Sequence, residues 1–228
     1  MQKPDIIFLS NTKDIHHYGL TTRAINTLRS SEDYSFNEII VETNTDYLKR
    51  GYVYHGSTVI TPNEEFNYNR FLNIGLKYTK SDWIIIANND VIFTSGWYTK
   101  LMDFHNSNSK FLSLSPYEPN WHIKKGMPNS VPYYAGYKTS YEIAGWCIVM
   151  HRSVVEQCNL FDERFKFWYQ DNDYAETIQH EKIPHALITS SRVYHDISKS
   201  YDTLSPEKLH EMTHVQHQIF IQKWNKNA

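Results

Sequence analysis

Trp83-Ile84-Ile85-Ile86-Ala87 is an unbroken apolar run that stops abruptly at Asn88-Asn89-Asp90, and it constrains the fold more than any other stretch. Five apolar residues ended by polar turn formers suit a strand buried on both faces, as in a parallel sheet covered by helices. The residues before it repeat the theme. Ile6–Leu9 reads as a buried strand, Leu20–Leu28 as a helix, Glu38–Val41 as a second strand and Ser57–Ile60 as a short third one. Phe71, Ile74 and Tyr78 fall three and four apart, the spacing of one helical face. This β-α-β alternation predicts an α/β fold, Rossmann-like, with a mostly parallel central sheet flanked by helices.

The second half is less regular. Phe111–Ser115 and Ile148–Met150 read as strands, and Ser153–Cys158 and Asp171–Glu181 as helices. Tyr117–Tyr141 has no periodicity and carries three prolines and two glycines, so it reads as a long functional loop. Ser205 and Pro206 mark a helix start, and Met212, Val215, Ile219, Phe220 and Trp224 give that last helix an apolar face. A length of 228 residues, with no repeat and no linker, fits a single domain over 1–228. Its first half, 1–95, carries the strand ends suited to a ligand, and 96–228 forms the other wall.

A net charge of -2 argues against a basic surface that coats nucleic acid. No apolar run nears the roughly 20 residues of a membrane span, and no leader sequence is visible. Cys147 and Cys158 form no Cys-x-x-Cys pair, which fits a reducing compartment. A cytoplasmic protein with no membrane partner is expected. Aromatics reach 15%, with 17 Tyr, and suit stacking on sugars and bases as well as core packing.

In an open α/β sheet, ligands gather at the carboxyl ends of the strands. Ser10-Asn11, Glu42–Asp46 and Asn88-Asn89-Asp90 all fall at such ends. A carboxylate at Asp90 with an oxygen ligand two residues away can hold Mg²⁺ or Mn²⁺ and share it with phosphate. The plain alternative is an Asn-Asp turn.

Taken in order, these segments resemble the family 2 glycosyltransferases of GT-A fold. The Asn69–Gly75 helix, with Asn73-Ile74-Gly75, is similar to the family's Asn-x-Gly helix. Asp82–Val91 is similar to its strand ending in Asp-x-Asp or Asn-Asn-Asp-Val. Val41–Asp46 is similar to its second-strand motif, with Glu42 for the usual Asp. Ala144–Arg152 resembles its acceptor-side strand, Leu160–Phe165 its Gly-x-Phe-Asp-Glu-x-Phe segment with Asn159 for Gly, and Trp168–Asp173 its Glu-Asp-x-Asp motif with Gln170 for Glu. Val193–Ser200 matches a segment that often carries a metal-ligating histidine, and Gln222–Asn225 resembles the closing Lys-Trp-Gly. The likeness spans roughly residues 5 to 225.

The resemblance implies an inverting transferase that uses Mn²⁺ or Mg²⁺ and a nucleotide-sugar donor, UDP- or dTDP-linked. Asp171 would be the catalytic base, and Asp90 and His195 the metal ligands. Ser10, Asn11, Glu42, Asn73, Asn88 and Asn89 would bind the nucleotide sugar, with Glu42 on the nucleoside. Gly145, Trp146, Trp168, Tyr169 and Gln170 would face the acceptor, and Asp173 would cap its helix. The acceptor is expected to be a glycan. The Asn-, Lys-, Ile- and Tyr-rich chain is also similar to small phage-encoded transferases, some of which glycosylate hydroxymethylated bases in DNA. A sugar- or nucleotide-binding module without catalysis is the alternative, motivated by Asn88, Asn159 and Gln170. A nucleotidyltransferase is disfavoured because Ser10–Asp14 is no glycine- and base-rich phosphate loop.

Overall fold

The computed structural model describes residues 3–159, 161–196 and 205–226. Leu160 and the Ile197–Ser200 part of the histidine-bearing segment lie outside the described residues.

Nine strands form the sheet among these residues: β1 (Asp5–Ser10), β2 (Asn37–Glu42), β3 (Thr58–Ile60), β4 (Trp83–Asn88), β5 (Val91–Phe93), β6 (Ser113–Tyr117), β7 (Tyr133–Ala135), β8 (Cys147–His151) and β9 (His185–His195). Their order is β3-β2-β1-β4-β8-β6-β9-β5, with β7 also on β9. The β3-β2-β1-β4 half is parallel, as the alternating sequence requires. β8 then runs antiparallel to both β4 and β6, while β6 and β9 are parallel.

The central strands are buried on both faces, which explains their unbroken apolar character. Ile6, Phe8, Ile85 and Ala87 face one core with α1 (Ile15–Ser31) and α3 (Trp97–Ser107). Ile7, Ile84 and Ile86 face another, with α2 (Tyr68–Leu76) and α6 (Gln170–His180); α5 (Arg152–Cys158) adds Val154 to this face. Each such isoleucine contributes roughly 1.5–3 kcal/mol by burial. Gly75 lets α2 lie close on the sheet, since a Cβ there would meet Ile7 Cγ2 at 2.9 Å.

Four sequence expectations change. Tyr78 lies beyond the end of α2 and is 51% exposed, off the face of Phe71 and Ile74. The Tyr117–Tyr141 loop holds a short helix, α4 (Pro119–Lys124), and strand β7. α3 and most of β9 are additions to the elements expected from sequence, with Trp97, Leu101 and Met102 of α3 buried at helical spacing. In the last helix a π-helical turn, Glu211–Val215, separates α7 (Pro206–His210) from α8 (Gln216–Trp224). Its extra residue per turn swings Val215 out to 40% exposure and turns Gln216 inward, where its Oε1 accepts from Lys166 N–H at 2.7 Å.

Candidate active site

The site lies at the carboxyl edge of the parallel half. β4 ends there at Asn88, and antiparallel β8 begins there, with Cys147 opposite Ala87. β9 ends there too, with His195 opposite Val91. Strand ends and the short turns beside them therefore bring together residues distant in sequence.

His195 Nε2 lies 3.1 Å from Asp90 Oδ1, and Asn88 Nδ2 lies 3.4 Å from the same ring nitrogen. Asp196 N–H donates to Asp90 O at 3.1 Å and steadies the Asp90 turn. One carboxylate oxygen and one imidazole nitrogen side by side suit Mn²⁺ and accept Mg²⁺. No third His, Cys, Asp or Glu joins them among the described residues. A cation held here would take its remaining ligands from diphosphate oxygens and water, as such ions ordinarily do.

Asp171 is the second residue of α6, where unpaired helix N–H groups favour negative charge. Its Oδ1 accepts from Asn172 N–H at 2.9 Å. Burial pushes its carboxyl above the usual range, and that backbone hydrogen bond only partly opposes the shift. Gly145 makes this placement feasible, because a Cβ at 145 would stand 2.9 Å from Asp171 Oδ2 and 3.1 Å from its Cβ. Gly145→Ala must therefore displace the carboxylate. We expect a loss in turnover of roughly 10²-fold, the cost of about 1 Å of misplacement, in steady-state kinetics on protein whose circular dichroism is unchanged.

Tyr68 is the first residue of α2. Its hydroxyl pKa is raised by burial and then by the charges of Asp171 and Asp90. Nothing in the sequence pattern singled Tyr68 out beyond its place one residue before the Asn69–Gly75 segment.

Several residues expected at the donor also have partners within the protein. Glu42 is fully buried. Its Oε1 accepts from Thr12 N–H at 2.9 Å and Asn44 N–H at 2.8 Å, and its Oε2 accepts from the Thr12 hydroxyl at 2.8 Å. Glu42 thus shapes the Thr12 and Asn44 loops at this strand end. Ser10 is buried among the hydroxyls of Thr12, Thr21 and Tyr54. Asn89 donates to Thr21 at 2.9 Å. Asn73 lies in α2, where its amide donates to Phe161 O at 2.9 Å and accepts from Phe161 N–H at 3.0 Å, so it ties α2 to the 161–163 segment. Asn11, exposed on the rim, and half-buried Asn88 remain for the donor.

On the acceptor side, Tyr169 has φ 65° and turns its ring onto the C-terminal helix, stacked on His217 at 5.1 Å. Trp168 and Gln170 are half-buried beside Asp171. The Gln170 Oε1 is buried without a hydrogen-bond partner among the described residues. Trp146 stacks on His195.

Asp173 does not cap α6. Its oxygens take Lys223 Nζ at 2.8 Å and Trp224 Nε1 at 2.8 Å, and Lys223 also reaches Asp162 at 2.9 Å. These contacts bind α8 across the 161–173 segment. Asn159, standing where glycine was expected, has φ 55°, a left-handed conformation that asparagine tolerates.

The sequence profile described as glycosyl transferase family 2 matches residues 20–158. Asp171 and His195 lie beyond that stretch. No curated protein matches the chain by sequence. Among solved structures, that of GalNAc-T7 with UDP, GalNAc and Mn²⁺ superposes with a TM-score of 0.66 at 12% identity. The match covers 85% of this chain and 43% of that one, so the chain spans less than half of its structural neighbour. The likeness establishes the GT-A fold. No helix among the described residues is long and apolar enough to cross a membrane.

Proposed function

The chain belongs to glycosyl transferase family 2, and on that premise we propose an inverting, metal-assisted transfer of a sugar from a UDP- or dTDP-linked donor to an acceptor hydroxyl of a glycan. The observation that carries this reading is the placement of Gly145-Trp146. Gly145 packs against the half-buried Asp171 carboxylate, and Trp146 stacks on His195, whose Nε2 meets Asp90 at the sheet edge where ligands bind.

In this reading Asp90 and His195 hold the cation, which when bound neutralises charge on the departing diphosphate. Asp171 accepts the proton of the acceptor hydroxyl at a carboxylate oxygen. Its raised pKa makes the ionised form a stronger base than an exposed carboxylate. Gly145 keeps it in place. Tyr68, its hydroxyl pKa raised by burial and by both carboxylates, stays neutral and able to donate a hydrogen bond.

A thermal-shift screen of nucleotide sugars with and without Mn²⁺ tests the proposal. At about 100 times Kd a donor should stabilise by ~2.7 kcal/mol, about 5–10 °C for a chain of this length. The metal-dependent part should vanish in Asp90→Asn. Absence of a shift with every donor would refute the donor assignment. A shift without transfer or donor hydrolysis would instead favour a binding module.

One observation favours a second acceptor. Lys125 Nζ lies 4.8 Å over the Trp121 ring, and Lys138 Nζ lies 3.7 Å over Tyr141, next to the site wall. Cations over aromatics also suit hydroxymethylated DNA. A salt-sensitive gel shift with modified duplex, absent with unmodified glycans, would select that reading.

A further inference from the structure

Trp146 was expected to face the acceptor, yet its indole lies flat against His195, with centroids 5.3 Å apart and planes 17° apart. The indole is itself braced. Trp121 meets it edge-on at 5.8 Å, and His122 contacts it at 5.8 Å. Trp121 is fixed in turn by its Nε1–H, which donates to Ser140 O at 2.8 Å. The Trp146 carbonyl accepts from Asn88 N–H at 2.9 Å, so the same residue pins the end of β4.

An imidazole on a strand end turns readily about its terminal torsion, and each turn carries Nε2 away from a ligand position. A flat, immobile wall removes that freedom. We infer that Trp146 is the positioning residue for His195: the indole fixes the imidazole plane so that Nε2 stays directed at Asp90 and Asn88. This rests on the reading of Asp90 and His195 as the cation pair. Groups that orient metal-ligating histidines are ordinarily hydrogen-bond acceptors; here the orienting contact is a ring face. The neighbouring Gly145 packs on Asp171, so one dipeptide sets the cation side and the base side together.

The test is Mn²⁺ titration of the full chain without donor, with free Mn²⁺ followed by electron paramagnetic resonance. Asp90→Asn and His195→Ala should each weaken binding. Trp146→Ala should weaken it about 10-fold, and Trp146→Phe, which keeps a flat ring, by less than about 3-fold. In the His195→Ala background, Trp146→Ala should add nothing, because its effect passes through the imidazole. Trp146→Leu replaces Trp146→Ala if the latter does not fold. Wild-type affinity in Trp146→Ala or Trp146→Leu overturns the inference, as does an equal loss with and without His195; either result leaves the cation pair standing. If the wild-type chain binds no Mn²⁺, or Asp90→Asn and His195→Ala bind it normally, the pair and the positioning role fall together.

Discussion

Asp171→Asn is expected to abolish glycosyl transfer and, in the same protein, to raise the thermal midpoint. The first effect follows from the role proposed for the carboxylate. An amide cannot take the acceptor's proton, and loss of a positioned base costs typically 10²–10⁴-fold in rate, or about 3–5 kcal/mol in the barrier. The second follows from burial. The Asp171 carboxyl pKa is raised in the folded protein, and no cationic side chain is among the groups acting on it. Between the ordinary carboxylate pKa and the raised one, the folded state binds more protons than the unfolded state. Stability therefore falls as pH rises through that window, and the penalty persists at neutrality. The asparagine removes it, so calorimetry at neutral pH should show a rise of a few degrees that disappears in acid. The raised pKa also moves the acid limb of kcat/KM above the ordinary carboxylate range, since the ionised base is the active form. A variant that kept wild-type turnover would remove Asp171 from the chemistry. One that lost turnover but was destabilised at neutral pH would point to a structural carboxylate.

Lys223→Ala should have the largest effect on stability. The ammonium reaches Asp162 at 2.9 Å and Asp173 at 2.8 Å, and Asp173 is buried. Removing one partner of a buried ion pair costs roughly 3–5 kcal/mol because the remaining charge stays uncompensated. The partial exposure of Lys223 and Asp162 places the expected loss near the low end, a midpoint lower by roughly 6–12 °C. The pH dependence supplies a second signature. Asp162 is partly buried, yet Arg164 and Lys223 hold its carboxyl well below the usual range. Its contribution is present above the unfolded carboxylate pKa and is lost as pH falls through the depressed value. Asp173 is shifted the other way, raised by burial against the pull of Lys223 and Trp224. Without Lys223 both carboxylates hold their protons more tightly when folded. The gap between wild type and variant should therefore narrow on acidification, as read by chemical denaturation across pH. A gap that is constant with pH would show that lost packing, not charge, carries the effect.

The parts of the fold that the sequence announced are those whose partners are local or uniform. Trp83–Ala87 is apolar throughout because helices cover both faces, and it ends at Asn88 because the sheet edge begins there. The departures have long-range causes. Glu42 reads as a ligand contact at a strand end, but Thr12, 30 residues earlier, takes both its oxygens. Asn73 is turned toward Phe161, 88 residues later. Periodicity cannot report such pairings. The stacking of Tyr169 on His217 is hidden for a different reason: its positive φ, uncommon for a bulky residue, sets the side chain's direction at the start of α6. Asp171, Asp90 and His195 stand out in the sequence only as an ordered set of motifs, and the meeting of His195 Nε2 with Asp90 Oδ1 is visible only in the fold.

Strand β8, entering antiparallel between β4 and β6, has a consequence for how the molecule comes into being. The end of β4 is synthesised long before Asp171 and His195. Asn88 and His195 are separated by 107 residues. A chain ending before β8 would carry the end of β4 but neither Asp171 nor His195. Closure over so long a contour is slow, so under the proposed function we expect reactivity to appear only after β8 inserts and β9 seals the edge. Catalytic competence is thus itself a reporter of complete folding, and refolding followed by turnover should lag refolding followed by helix signal.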